Sequence, residues 1–104
     1  MTLQDLLTDA VGQLDDVETA LTGEGAISWS RGGRPFSVLA ANGDSAEFGL
    51  DPPVAAAAAR TPDVEPSPRG AGWVVFTPAE LDDHAADRAV AWLASAHRRL
   101  GPRD

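Results

Sequence analysis

The residues of this chain best suited to recognising a ligand are its arginines. All eight basic side chains are arginines, and a guanidinium group donates paired hydrogen bonds to a carboxylate or a phosphate. Arg31 and Arg34 flank the dipeptide Gly32-Gly33, whereas Arg60 and Arg69 bracket a proline-rich segment. If these four arginines share one edge of the fold, they form a basic patch that binds a phosphate, a carboxylate or an acidic peptide.

Both the arginines and the tryptophan beside them are open to a second interpretation. The arginines can serve solubility or pair locally with Asp51, Asp63 and Glu65. Trp73, one of three tryptophans, is expected in the sheet core, but if it is exposed beside Arg69 it forms a platform for a ligand.

The segment from Arg60 to Pro78 has a backbone restricted by prolines and carries two of these arginines and Trp73. It holds four of the eight prolines, at positions 62, 66, 68 and 78. Because each proline ring fixes φ, ordering this segment costs little entropy. Its second half, Trp73–Phe76, is apolar on both faces and predicts a central strand covered on both sides. Its first half, Thr61–Arg69, is the part left for function, and we expect a partner to bind in the groove beside the 60–73 loop.

The chain shows no pattern that predicts catalysis. His84 lies between Asp83 and Asp87, but neighbouring residues of a helix point about 100° apart, so the three side chains do not converge. His97 lies beside an apolar helical stripe, where a structural role is expected. There is no G-x-S-x-G motif, and the glycine pairs do not precede a helix that could hold a phosphate. We therefore expect no catalytic residue, no metal and no cofactor.

Composition limits the class of partner. The 104 residues predict a single domain over residues 1–104. The formal charge of -8 disfavours DNA and anionic membranes unless the arginines segregate to one face. The chain has no cysteine, no long apolar run and no basic N-terminal region, so we expect a soluble cytoplasmic protein without disulfides.

The first half of the chain predicts a helix followed by three strands. Apolar residues recur at helical spacing over residues 2–22, and Thr2 with Asp5 predicts a capping box at the start. Residues 26–50 predict an antiparallel meander, with Gly32-Gly33 as a two-residue turn. That turn pairs Trp29 with Phe36 and Ile27 with Val38. An odd-length second loop, bulged at 42–44, would then place Val38 opposite Phe48.

The second half predicts a short helix, a strand and a long helix. Residues 52–60 combine two prolines at the start with an alanine run. The last helix is predicted from Thr77 and Pro78 to about Leu100, with Gly101-Pro102 stopping it. The order α-β-β-β-α-β-α indicates an α/β (α+β) fold. Its antiparallel sheet has four or five strands, and the N- and C-terminal helices pack on it.

This order and several segments resemble the MmcQ/YjbR family of small bacterial proteins. The matching segments are the strand-turn-strand S-R-G-G-R-P-F-S-V-L, the strand ending near Leu50, the proline-bearing loop before G-W-V-V-F, and the final helix. The resemblance covers about residues 26–100. It implies a helix packed on an antiparallel sheet, and some members of the family are described as DNA-binding. It implies no catalytic residue.

The sequence therefore predicts a small, non-enzymatic binding or interaction module. Its candidate binding residues are Arg31, Arg34, Arg60, Arg69 and Trp73, and its ligand is an unknown protein or a small anion. The alternative is a DNA-binding protein that uses the Arg31/Arg34 hairpin tip as a wing. A homodimer is a further expectation, and membrane binding is not expected.

Overall fold

Within residues 2–100, which the computed structural model describes, six antiparallel strands form one sheet and three helices pack against it. The elements in chain order are α1 (Leu3–Val11), β1 (Glu18–Leu21), β2 (Ile27–Arg31), β3 (Arg34–Leu39), β4 (Ala46–Gly49), α2 (Pro52–Ala58), β5 (Val64–Pro66), β6 (Trp73–Phe76) and α3 (Asp83–Leu100). The strand order across the sheet is β1-β2-β3-β4-β6-β5. The predicted α+β class is confirmed, with more strands than expected.

The first helix starts as predicted but is shorter. The Thr2 side chain accepts a hydrogen bond from the Asp5 N–H, and the Asp5 carboxylate accepts one from the Thr2 N–H, which completes the capping box. The prediction of one helix over residues 2–22 is wrong beyond Val11. The chain turns through Asp16, whose φ is 59°, and enters β1, which pairs along its whole length with β2. Pairing with β2 satisfies the backbone groups on the inner side of β1, which a longer helix would have satisfied internally.

The turn between β2 and β3 is the two-residue turn that the sequence predicts. Gly32 and Gly33 have φ values of 60° and 79°, and Arg31 lies opposite Arg34. Positive φ at both positions is the requirement of a type I′ turn, which matches the twist of the two strands.

The predicted pairing beyond that turn is wrong by one residue. The register shifts between Trp29 and Ser30, which leaves Phe36 as an extra residue on β3. The observed pairs are Trp29–Ser37 and Ile27–Leu39, in place of Trp29–Phe36 and Ile27–Val38. The bulge lets both Trp29 and Phe36 reach the core, where each is almost fully buried.

The register between β3 and β4 also differs from the prediction. Val38 lies opposite Glu47, and Phe48 lies opposite Ser37. The predicted register assumed that Val38 and Phe48 share a face. Phe48 instead lies in the core, whereas Val38 and Glu47 share the opposite face of the sheet.

The proline-rich segment contains a strand that the sequence did not predict. This strand, β5, pairs with β6, so β6 lies next to the edge of the sheet between β4 and β5. Val74 and Phe76 of β6 are buried, but Trp73 and Val75 are only half-buried on the other face. The prediction of a strand covered on both faces is therefore wrong.

The last helix begins later than predicted. The Asp82 carboxylate accepts a hydrogen bond of 2.8 Å from the Ala85 N–H, as an N-cap residue does. The predicted start at Thr77-Pro78 is wrong. The Thr77 N–H, which a capping box would pair with Glu80, donates instead to the Asp63 carbonyl at the end of the β5–β6 pairing. The predicted helix stop at residues 101–102 lies outside the described residues.

The core lies on one face of the sheet. Buried residues of all three helices and of β2 to β6 belong to one cluster, which includes Leu7, Trp29, Phe48, Phe76 and Leu93. The opposite face, here called the open face, carries Val38, Glu47 and Val75 side by side across β3, β4 and β6. Within residues 2–100, none of the helices combines the length and apolarity needed to cross a membrane.

Candidate ligand-binding site

Arg31 and Arg34 hold the last turn of α3. Arg31 Nη1 donates to the His97 carbonyl at 3.0 Å, and Arg34 Nη2 donates to the Leu100 carbonyl at 2.8 Å. The last carbonyls of a helix have no partner within it and carry partial negative charge. The two guanidinium groups at this hairpin tip therefore satisfy the end of α3.

The His97 side chain also links the end of α3 to the hairpin tip. Arg31 Nη1 lies 3.3 Å from His97 Nδ1, and His97 Nε2 contacts the Asp15 carbonyl. Because arginine only donates, Nδ1 accepts and Nε2–H donates to Asp15. The ring also packs edge-on against Phe36, with the centroids 5.4 Å apart. His97, only 8% exposed, thus joins α3, β2, β3 and the turn after α1.

The four predicted arginines do not form one patch. Arg31 and Arg34 contact α3 on the helix side of the sheet. Arg60 is exposed on the turn after α2, and within residues 2–100 its side chain makes no hydrogen bond or ion pair. Arg69 contacts Glu47, which lies on the open face. The basic patch expected from the sequence is thus reduced to Arg69.

Arg69 is held on the open face by two neighbours. Its Nε donates to Glu47 Oε2 in an ion pair, and its guanidinium carbon lies 5.8 Å from the centroid of the Trp73 ring. Ser67 supports both groups, because its hydroxyl donates to Glu47 Oε1 at 3.2 Å and accepts from the Arg69 N–H at 3.2 Å. The Arg69 side chain remains 46% exposed.

Two glycines determine where Trp73 lies. Its ring covers Gly49, where a Cβ atom would approach the ring to 2.9 Å. Gly72 has φ of 83°, and a Cβ atom there would lie 2.3 Å from the Leu50 carbonyl oxygen. Only glycine allows the loop before β6 to pass this close to the end of β4. The ring therefore lies flat on the open face, within reach of Arg69.

A concavity of about 230 Å³ lies beside Arg69 on the open face. It is lined by Ala26, Val38, Ala40 and Ala41, which are apolar, and by Glu24, Ser45, Glu47 and Arg69, which are polar. It is smaller than the roughly 300–1,000 Å³ of drug-sized ligand sites. The site is therefore suited to a small molecule or to one or two side chains of a peptide.

The acidic start of α3 forms no comparable site. His84 is exposed, as are Asp83 and Asp87. Within the described part of the chain, no group of three or more histidine, aspartate or glutamate side chains is arranged to hold a metal ion. Asp82, next to them in sequence, caps the helix.

No protein-family model matches this chain, and no curated protein matches it either. The resemblance to the MmcQ/YjbR family therefore stays a prediction.

Arg69 and Trp73 were predicted from the sequence, whereas Glu47, Ser67 and Gly49 were not. A signal for Glu47 was present, because it is the only charged residue in the apolar stretch Ala46–Leu50. A carboxylate in an interior strand needs either solvent or a partner. Its position indicated that one face of the sheet is open to solvent or carries a basic partner.

Proposed function

We propose that this protein is a small binding module whose open face holds a ligand with an apolar body and a single carboxylate. The observation that carries the proposal is the position of Arg69 at the edge of the concavity. Within residues 2–100, its guanidinium hydrogen bonds go to Glu47 through Nε alone. The two terminal nitrogens are thus the donors available to a carboxylate.

The arrangement reduces the entropic cost of binding. A free arginine side chain loses up to about 2 kcal/mol of rotamer entropy when it is immobilised. Here Glu47 and Trp73 already restrict the guanidinium. Restriction before binding lowers the cost that the ligand must offset.

The side chains that line the concavity determine which net charge and which apolar group the ligand can have. Val38, Ala40 and Ala41 supply an apolar surface for an aliphatic group. Glu24 and Glu47 line the same concavity, and their carboxylates repel a ligand that carries several negative charges. A monoanion with an aliphatic body satisfies both conditions, whether it is a small acid or the C-terminal residue of a peptide.

The test is a titration of isotopically labelled protein, followed by amide chemical shifts. The probes are hexanoate, its neutral analogue hexanamide, and an acetylated peptide ending in a leucine carboxylate, with the amidated peptide as its control. We expect saturable shifts at Ala26, Val38, Ala40 and Glu47 with the carboxylates, and at least about tenfold weaker binding of the neutral analogues. A peptide that binds more tightly than hexanoate identifies a protein partner as the source of the carboxylate.

Arg69→Ala and Arg60→Ala form the matched pair of variants, because each removes one exposed arginine. We expect Arg69→Ala to abolish the shifts and Arg60→Ala to leave them unchanged. Shifts that do not saturate, that map to another surface, or that survive Arg69→Ala would contradict the proposal.

The DNA-binding alternative has less support from the geometry. Its two wing arginines, Arg31 and Arg34, donate to carbonyl groups of α3, and contact with phosphates would compete with these bonds. The formal charge of -8 also opposes approach to DNA.

A further inference from the structure

The two edges of the sheet differ in how they are protected. At one edge, β5 contains Pro66 and is flanked by Pro62 and Pro68. Proline lacks an N–H group, so it prevents another strand from pairing there. At the other edge, all four residues of β1 are exposed and none is a proline or a lysine. The edge formed by β1 is thus open to a further strand.

The register of the β1–β2 hairpin determines which backbone groups point outward. The Thr22 N–H donates to the Ala26 carbonyl at 2.8 Å, so these two residues form a hydrogen-bonded pair. Such pairs alternate along an antiparallel ladder, and Ala20 with Ser28 forms the next one. The N–H and C=O groups of Thr19 and Leu21 therefore point away from β2.

The Leu21 side chain adds an apolar contact to this edge. It is 77% exposed, the most exposed large hydrophobic residue in the described part of the chain. Leu21 lies opposite Ile27, which lies opposite Leu39 of the core. Its side chain is therefore on the helix side of the sheet, beyond the part that the helices cover.

We infer that β1 pairs with β1 of a second copy of this chain, antiparallel about a two-fold axis through Ala20. Thr19 of each copy then lies opposite Leu21 of the other, and the two exchange both backbone hydrogen bonds. The Ala20 side chains meet at the axis, in the closer, non-hydrogen-bonded type of pair. A two-fold interface requires a self-complementary surface, and this short strand provides one.

The two outward-facing residues select this register. With Ala20 at the axis, Thr19 and Leu21 of both copies pair within β1. A shift by two residues in either direction places one of them opposite a residue outside β1, Val17 or Gly23 of the second copy. One of these shifts also places Glu18 diagonally beside Glu18 of the second copy, which opposes like charges. The Glu18 carboxylate also accepts a hydrogen bond from the Gly33 N–H at the β2–β3 turn, which draws it away from the edge.

The same register covers Leu21. Its neighbour on the helix side is Thr19 of the second copy, and the diagonal neighbour is Leu21 of that copy, at roughly 7–8 Å. The strand is short and each copy carries a formal charge of -8, so the dimer is weak at low salt. Salt screens that repulsion, and association therefore increases with ionic strength.

The first test is sedimentation velocity of the full chain over a range of protein concentrations, at low salt and at about 0.5 M NaCl. We expect reversible dimers that strengthen with salt. Thr19→Pro removes an outward donor without removing a bond to β2, and Leu21→Lys places a charge beside the axis. Each is expected to weaken dimerisation at least about tenfold, whereas Ala91→Lys, on the exposed surface of α3, is not.

The second test uses the absence of cysteine from the chain. In the proposed register the two Ala20 residues form a non-hydrogen-bonded pair, with Cα atoms about 4.5 Å apart. This separation is within the range of a disulfide, so Ala20→Cys is expected to form a disulfide-linked dimer. Oxidised glutathione serves as oxidant, accepting the two electrons and two protons of the thiols as it is reduced to two glutathione molecules. Ala91→Cys is expected to remain monomeric.

A chain that stays monomeric at millimolar concentration in about 0.5 M NaCl overturns this inference. A dimer that neither Thr19→Pro nor Leu21→Lys weakens also overturns it, since its interface lies elsewhere. If Thr19→Pro fails to fold, Leu21→Lys and the Ala20→Cys cross-link decide the question. A strand of another protein that binds at β1 while the chain alone stays monomeric replaces the second copy as the occupant.

Discussion

At the scale of single residues, the two histidines of the described chain have opposite surroundings. His84 is exposed near the start of α3. His97 is buried, accepts from Arg31 and donates to the Asp15 carbonyl. A buried polar group that loses its partner costs about 1–3 kcal/mol, so the two positions are expected to differ sharply in their tolerance of substitution.

His97→Ala is expected to lower the free energy of unfolding by about 2–3 kcal/mol. The substitution removes the ring that packs on Phe36 and leaves the Asp15 carbonyl without its partner, whereas Arg31 keeps its bond to the backbone carbonyl of residue 97. Urea denaturation measures the change, and His84→Ala is the control, with an expected change within about 0.5 kcal/mol. Equal effects of the two substitutions would show that His97 does not join these elements.

At the scale of elements, the two predicted helix starts show when a local sequence pattern predicts a helix N-terminus correctly and when it does not. The pair Thr2 and Asp5 predicted a capping box, and the structure confirms it. Thr77-Pro78 had the same kind of signature, yet α3 begins at Asp83. The Thr77 N–H donates to the Asp63 carbonyl across the sheet, in place of the bond to Glu80 that a capping box requires.

Asp82→Ala is expected to destabilise the protein by about 1 kcal/mol, because the Ala85 N–H loses its cap. Thr77→Ala is the matched comparison, since it removes the cap that the sequence predicted. We expect it to change the free energy of unfolding by less than about 0.5 kcal/mol. Thermal denaturation followed by circular dichroism measures both, and a larger loss for Thr77→Ala would place the helix start at Thr77.

At the scale of the whole molecule, the dominant feature is an excess of acid. The chain has 16 acidic residues against 8 arginines, and within residues 2–100 three arginines form ion pairs, with Asp16, Glu47 and Asp51. Most carboxylates therefore repel one another across the surface. Such self-repulsion destabilises the compact state and is screened by salt.

Raising NaCl from low salt to about 0.5 M is expected to increase the free energy of unfolding by roughly 1 kcal/mol. Urea denaturation at low protein concentration measures this without a contribution from dimerisation. The double variant Glu24→Lys/Asp44→Lys, which replaces two exposed acids with bases, is expected to show a smaller salt effect. An equal salt effect in the variant would assign the stabilisation to a cause other than charge repulsion.

The sequence by itself determined the α+β class, the Gly32-Gly33 turn and the first capping box. These features depend on contacts between residues close in the chain, or on apolar spacing, both of which can be read from the sequence. Only the tertiary structure decided the strand registers, the two edge strands and the separation of the four arginines. Each depends on which distant groups meet: Arg31 and Arg34 bond to α3, Glu47 pairs with Arg69, and β1 pairs with β2 although its spacing also suited a helix. Backbone groups and charges can take their partners from anywhere in the fold. A local sequence pattern therefore fails to predict the structure wherever a distant residue supplies the partner.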